Sequence, residues 1–337
     1  MKLNKTLTGL ALAAALLPGL ASAETFDWRI QSNLQAGEPG YVALERFAEI
    51  AEEMSNGQIS FQIFAVDAIY PVADGLDAIG AGVIEAGVLT GAIYTGQVGP
   101  IGTLETGVPG SLRSAMERYN FFYRTGFLEL VREAFAPFNV YYLAPQLSSG
   151  WDLISTVPIN GPEDFEGLRV RAYGVEADWF TSMGASTLFF GGGEIYTNLA
   201  TGVVDAARWA SPAGNYNNSF HEVAKYYIRP SSIGAPNNFF AINMEAWESL
   251  PPHLQAILAQ SAIISSFEYV GLADMKDASA LAKMQEAGME VITIDPAVWG
   301  PMEAKAREFW RAYGADDEMA RRGVEMLDGF LAELGRQ

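Results

Sequence analysis

Two arginines stand where strand-like runs give way to loops. The first, Arg171, ends the basic pair of LRVRAY (168–173), and the second, Arg208, precedes Trp209 at the end of VVDAARW (203–209). A guanidinium offers a planar, two-pronged contact to a carboxylate that an ammonium cannot reproduce. In the first run alternation turns Leu168, Val170 and Ala172 to the core and Arg169 and Arg171 to the other side, and only Arg171 reaches the strand end. In the second run a cation, a flat apolar wall and a Ser-Pro turn follow one another, and Arg and Trp are residue types concentrated in binding hot spots. The chemistry indicated is capture of an organic anion. The bland alternatives are an Arg171 paired with Glu163 or Asp164 at the surface, and an exposed Arg208 beside a Trp209 in the core.

The elements around these residues alternate between strand and helix. Residues 26–32 read as a strand, 41–54 as a helix closed by Asn56-Gly57, and 59–64 as a second strand. A helix around 72–83, a strand over 88–94, a helical region over 111–135 and an apolar-aromatic strand over 139–147 follow. That last strand is the expected first crossing between two domains. Beyond it, strands at 168–173, 186–190 and 203–209 alternate with short helices at 175–183 and 194–201, the pattern of parallel βαβ units. Ligand crevices in such sheets lie beyond the strand C-terminal ends, where Arg171, Phe190, Arg208 and Trp209 all fall. NNFFAIN (237–243) reads as a strand returning to the first domain, and the helical pattern after Pro251-Pro252 runs to Gly288, long enough to span both domains, with Gly271 as the place for a kink. The expected fold class is α/β, with two domains from the length of 337 residues. Gly80-Ala-Gly82 lies inside a helical pattern and reads as close packing, not as a dinucleotide loop.

Composition narrows the function. Lys2, Lys5, the apolar run 10–17 and Ala21-Ser22-Ala23 match a secretory signal cleaved before Glu24, so a periplasmic location is expected. No later stretch offers about 18 uninterrupted apolar residues, which argues against stable membrane insertion. The chain has no cysteine, hence no disulfide, thiolate metal site or lipid-anchored cysteine. Its net charge is −19, and −21 without Lys2 and Lys5, which argues against nucleic acid and anionic membranes as partners. His221 and His253 are the only histidines, and no P-loop, G-x-S-x-G or H-E-x-x-H is present. Paired carboxylates stay open, so a secreted enzyme using Glu194 or Asp205 is an alternative. The aromatics Tyr94, Tyr142, Trp151, Tyr173, Phe190, Tyr216, Phe239 and Phe240 sit near expected strand ends and together fit an apolar pocket.

The signal, PINGPEDFEGLRVRAYG (158–174), the run from Gly202 through Asp205-Ala-Ala-Arg208-Trp209, NFFAINMEAWESLPP (238–252) and the long helix together resemble the DctP-type solute-binding proteins of TRAP (tripartite ATP-independent periplasmic) transporters, over nearly the whole mature chain. The resemblance implies a two-lobed periplasmic binding protein fold, type II-like, with crossing hinge strands. It places 24–146 and about 236–270 in lobe I, and 147–235 with about 271–337 in lobe II. It also implies a clamp that closes on a small carboxylate and hands it to TRAP membrane permease subunits, without catalysis. A sensor subunit with the same fold is the remaining variant.

In that family the second basic residue of the strand pairs with the substrate carboxylate, which is Arg171 here. Gln146 falls near the family's pocket glutamine, and Trp151, Tyr94, Tyr173 and Phe239 are expected pocket walls. The D-A-x-x-W run is most similar to the 2-oxoacid and lactate branch, which carries a metal-binding glutamate before the tryptophan. This chain has Arg208 there, so the expectation is a site without cofactor, in which Arg208 replaces a metal bridge. Two arginines suit a ligand with two anionic ends, or one carboxylate plus further acceptors.

Overall fold

The computed structural model describes residues 24–336, and the expected signal (1–23) lies outside them. In chain order the strands are β1 (Phe26–Gln31), β2 (Ile59–Phe64), β3 (Ala86–Leu89), β4 (Val140–Leu147), β5 (Trp151–Ser155), β6 (Arg169–Arg171), β7 (Ser186–Leu188), β8 (Ala206–Arg208), β9 (Tyr226–Ile233), β10 (Asn237–Asn243) and β11 (Glu290–Thr293). They form two mixed sheets, ordered β2-β1-β3-β10-β4 and β11-β9-β5-β8-β6-β7. The fold is therefore α/β in two lobes, each sheet with its own covering helices.

In the first lobe β1 pairs in parallel with β2 and β3, so the chain must cross over between them. The first crossover is the helix Pro39–Met54, which buries Leu44, Phe47 and Ala51 against the sheet. Asn56 and Gly57 follow it with positive φ (52° and 74°), the left-handed exit that this dipeptide tolerates better than other residues. Strand β10 returns from the second lobe and lies antiparallel between β3 and β4.

The second lobe is joined through residues 148–150, between β4 and β5, and through 234–236, between β9 and β10. The helix Pro252–Glu286 is a third connection. Its 35 residues span about 52 Å, with Leu254, Leu258 and Ala262 in a first-lobe core and Met284 in a second-lobe core. It runs through Gly271 without interruption. Its length and hydropathy would suit a membrane span, but Ser261, Ser265 and Ser266 are buried on its packed face, as in a helix built into a protein.

The structure departs from the sequence reading in four places. The strand expected over 88–94 ends at Leu89, because the chain turns at Gly91, where a Cβ would lie 2.3 Å from Glu105 and 2.7 Å from the Gly102 carbonyl. The 111–135 region is two helices, Ala115–Arg124 and Phe127–Phe135, broken at Gly126 (φ 88°). Residues 212–217, to which the sequence assigns no element, form a short helix. Finally, helix Glu318–Glu333 packs on Ile101–Thr106 and Phe127–Phe135, with Leu327 and Leu331 in the first-lobe core, so it goes with lobe I instead of lobe II.

Glu105 and Asp152 are fully enclosed carboxyls. Glu105 accepts bonds from Tyr142 (2.7 Å) and Asn237 (2.5 Å), and Asp152, just past the first crossing, accepts from Tyr227 and Ser231 (both 2.5 Å). Burial pushes Glu105 up to about 7 and Asp152 up to about 6, against the opposing effect of those bonds and of Arg118 and Arg229. Both groups hold protons more tightly when folded than when unfolded, so their contribution to stability is full at acid pH and is lost as pH rises through 6 and 7. Melting should therefore occur at higher temperature at pH 5.5 than at pH 7.5, a difference of about 1–2 kcal/mol that Glu105→Gln should largely remove. Asp205 and Glu85 are held low by Arg169 and Arg29 and act only in more acid solution. A melting temperature that rises from pH 5.5 to 7.5 would contradict this assignment.

Candidate functional site

The register of the second sheet assembles the site. Arg171 ends β6 opposite Ala207 of β8, and Arg208 ends β8 opposite Leu153 of β5. Because β5 runs antiparallel to β8, its first residue, Trp151, lies at the same sheet edge as the last residues of β6 and β8. Tyr173 leaves β6 two residues after Arg171. These side chains and Trp209 line one cavity of about 520 Å³ between the lobes.

Arg171 is 2% exposed. Its Nη1 donates to the Arg208 carbonyl (2.9 Å), while Nε and Nη2 donate to the Phe190 carbonyl (3.3 and 3.1 Å). The guanidinium lies 5.1–5.4 Å from the ring centres of Tyr173, Phe189 and Trp209. Of its five N–H groups, two have no acceptor among the described residues. No carboxylate pairs with it: Asp164 accepts from Asn160, and Arg169, its neighbour on the exposed side, takes Asp205. Burial, then the nearby Arg208, brings Arg171 down to about 10. A buried cation held only by carbonyls and rings lacks its counter-ion.

Arg208 is equally buried but is paired. Its Nε binds the Glu176 carboxylate, its Nη1 reaches the Tyr173 hydroxyl (3.3 Å), and its guanidinium is sandwiched between Trp151 (4.7 Å) and Tyr173 (4.3 Å). Burial opposes its charge, but Glu176 and Tyr173 outweigh this and hold it above the ordinary arginine value. Glu176 lies in the first turn of helix Gly174–Ser182, where the helix dipole favours an anion, and its Oε1 has no hydrogen-bond partner. Trp209 packs against Gly192, where a Cβ would sit 2.2 Å from the indole ring, so the glycine permits the close approach.

The first lobe supplies the facing wall. Asn33 donates to Thr90 (2.8 Å) and Asn238 (3.1 Å), Thr90 donates to Asn238 (2.7 Å), and Gln146 donates to the Gly40 carbonyl (3.1 Å). All four line the cavity, as does Glu38.

Six of the eight residues singled out in the sequence thus meet around one cavity: Arg171, Arg208, Trp209, Trp151, Tyr173 and Gln146. Tyr94 and Phe239 do not line it. The turn at Gly91 sends Tyr94 into the first-lobe core, where its hydroxyl donates to the Val72 carbonyl (2.6 Å). Phe239 stacks on Tyr142 (4.5 Å) and meets Phe135 at a tilt (4.8 Å), and alternation along β10 puts its neighbour Asn238 on the cavity instead. Glu176, Glu38, Asn33, Thr90 and Phe189 were not read from the sequence. For Glu176 the only signal was an acid in the first turn of an expected helix. A larger hollow of about 1250 Å³ is lined by Arg113 and Arg229, but these face Glu303 and Asp152, so it offers no uncompensated buried cation.

Residues 30–317 match the model of bacterial extracellular solute-binding protein, family 7 (DctP). The chain belongs to this family. It is 26% identical over 310 residues, 91% of this chain and 84% of the relative, to the monocarboxylate 2-oxoacid-binding periplasmic protein of Nostoc sp.. Among solved structures, a TRAP periplasmic solute-binding protein from Rhodobacter sphaeroides in its apo open form is 25% identical, with TM-score 0.74 over 92% of this chain and 98% of that one. One from Pseudoalteromonas atlantica with bound sodium and pyruvate superposes with TM-score 0.84 at 21% identity, covering 93% and 95% of the two chains.

That last relative holds sodium together with pyruvate, which raises the question of a cation site in this chain. Among the described residues no three His, Cys, Asp or Glu side chains converge. The carboxylate nearest the arginines, Glu176, is already bound by Arg208, and a guanidinium repels a metal ion where a ligating carboxylate would be needed. These residues do not fit a metal ion beside Trp209.

Proposed function

We propose that this protein is the extracytoplasmic receptor of a TRAP transporter, closing its lobes on a small organic acid and handing it unchanged to a membrane permease. The observation that carries the reading is Arg171, a buried guanidinium that opens on the interlobe cavity with two free N–H groups and no carboxylate partner. A ligand carboxylate would supply the missing counter-ion by bidentate pairing, and the surrounding rings exclude water. Arg208 adds positive charge without metal. Its pairing with Glu176 leaves the two arginines and one glutamate with a net charge of +1, which fits one carboxylate better than the two anionic ends that a free arginine pair would suit. The relatives include a monocarboxylate-binding protein, in line with that charge.

The enzyme alternative finds little support. Asp205 engages Arg169 through both oxygens (2.6 and 2.9 Å), and Glu194 stands exposed at the cavity rim.

A thermal-shift screen of the mature chain against small monocarboxylates and their amides tests the reading. An acid at a hundredfold excess over its Kd should stabilise by about 2.7 kcal/mol and be recovered unchanged, while its amide should not stabilise. Affinity should be the same with and without EDTA. Loss of binding in EDTA that calcium or sodium restores would overturn the metal-free site, and conversion of the acid would overturn the receptor assignment.

A further inference from the structure

The wall facing the arginines carries a carboxyl group without an ion-pair partner. Glu38 is 9% exposed and lines the cavity. It is the residue before helix Pro39–Met54, where a carboxylate ordinarily accepts from the first helical amides, yet its side chain makes no capping bond. Its one hydrogen bond is a long one from the Gln35 amide (3.3 Å to Oε1). No Lys, Arg or His forms an ion pair with it among the described residues, although fourteen such pairs occur elsewhere in the chain. Burial raises its affinity for protons, with only the Gln35 amide opposing.

A carboxyl on the cavity wall with one weak partner is the counterpart of Arg171 with the sign reversed. Both are costly in the empty protein, and both become favourable when a ligand brings the opposite charge. The buried charges Arg171, Arg208, Glu176 and Glu38 sum to zero, while Asp67 and Glu194, which also line the cavity, are exposed to solvent, so a ligand of zero net charge matches its buried part. The amides of Asn33 and Asn238 and the Thr90 hydroxyl, on the same lobe, offer acceptors around an N–H donor.

We infer that the ligand is zwitterionic, a small amino or imino acid whose carboxylate meets Arg171 and whose protonated nitrogen meets Glu38. This rests on the carboxylate-binding reading above and narrows it. A second carboxylate at that end is disfavoured by repulsion from Glu38, and a purely apolar tail leaves Glu38 unpaired.

Calorimetric titration of the mature chain with two matched pairs decides it: alanine against propionate, and proline against cyclopentanecarboxylate. The amino member of each pair should bind at least about tenfold more tightly, as expected for a buried hydrogen bond between charged groups. In Glu38→Gln the gap within each pair should shrink to about threefold or less, since a neutral acceptor remains. A melting temperature no lower than the parent's shows that the variant folds. Propionate or cyclopentanecarboxylate binding as tightly as its amino partner, a preference that survives in Glu38→Gln, or failure of both amino acids to bind, would overturn the zwitterion. Arg171→Ala separates this from the parent reading: if it abolishes binding of the deaminated acids while Glu38→Gln has no effect, the receptor reading stands and the zwitterion falls. If it leaves every probe bound, the carboxylate site itself is wrong.

Discussion

Arg171→Ala should lower affinity for any carboxylate ligand by about a thousandfold and leave the empty protein no less stable. The first effect follows from losing a desolvated, two-pronged ion pair, for which truncations cost about 2–5 kcal/mol. The second follows from the position of Arg171 in the empty protein, where it is buried beside another arginine and held only by the carbonyls of Phe190 and Arg208. Removing an uncompensated buried cation relieves a desolvation cost instead of breaking a pair. Arg171→Lys keeps the charge and loses the fork, so it should retain some binding, about a hundredfold weaker than the parent. Titration calorimetry with a monocarboxylate, alongside melting without ligand, measures both. A strong drop in the ligand-free melting temperature would show that Arg171 has a structural counter-charge and is not a waiting ligand contact.

Glu176→Gln should behave the other way round. Arg208 is as buried as Arg171, but its charge is matched, and the match is supplied by Glu176 alone. Breaking a buried pair from one side leaves a stranded charge and should cost about 3–5 kcal/mol, enough to lower the melting temperature by several degrees. The variant also raises the charge of the arginine wall from +1 to +2. If it folds, selectivity should move toward dianions, read as a higher affinity ratio of malonate to propionate than in the parent. A stability change under about 1 kcal/mol would mean that the Glu176 contact contributes little and that the +1 charge is misassigned.

These two outcomes separate roles that look alike in the sequence. Both arginines end strands, both are followed by aromatic residues, and both are 2% exposed. What distinguishes them is a glutamate that pairs directly with Arg208 and acts on Arg171 only from a distance.

Much was legible without coordinates because it depends on local periodicity. Alternation in LRVRAY puts Arg171 at the end of a strand, and the strand-to-loop change at Arg208-Trp209 marks the second position. The helix from Pro252 to Glu286 announces itself by length and its Pro-Pro start, and the Asn56-Gly57 exit by the residue types themselves. The absence of cysteine chemistry needs only composition, and the family resemblance rests on motifs that Arg208 interrupts at one informative place.

Other features depended on which strands lie side by side and on where the chain turns. Glu176 meets Arg208 across 32 residues because β8 sits between β5 and β6, an order no local pattern encodes. Tyr94 left the expected wall because the packing of Gly91 on Gly102 ends β3 early. Phe239 was misplaced by one position, which in a strand means the opposite face, since side chains alternate with a period of two. Glu38 reads in sequence as an ordinary acid before a helix, and only the folded chain shows it largely buried on the cavity wall with no ion-pair partner among the described residues. Types and spacing therefore point to an anion contact and to its first arginine. The tertiary structure adds the pairing of Arg208 with Glu176 and the place of Glu38 on the facing wall, because electrostatic balance depends on neighbours in space that are far apart along the chain.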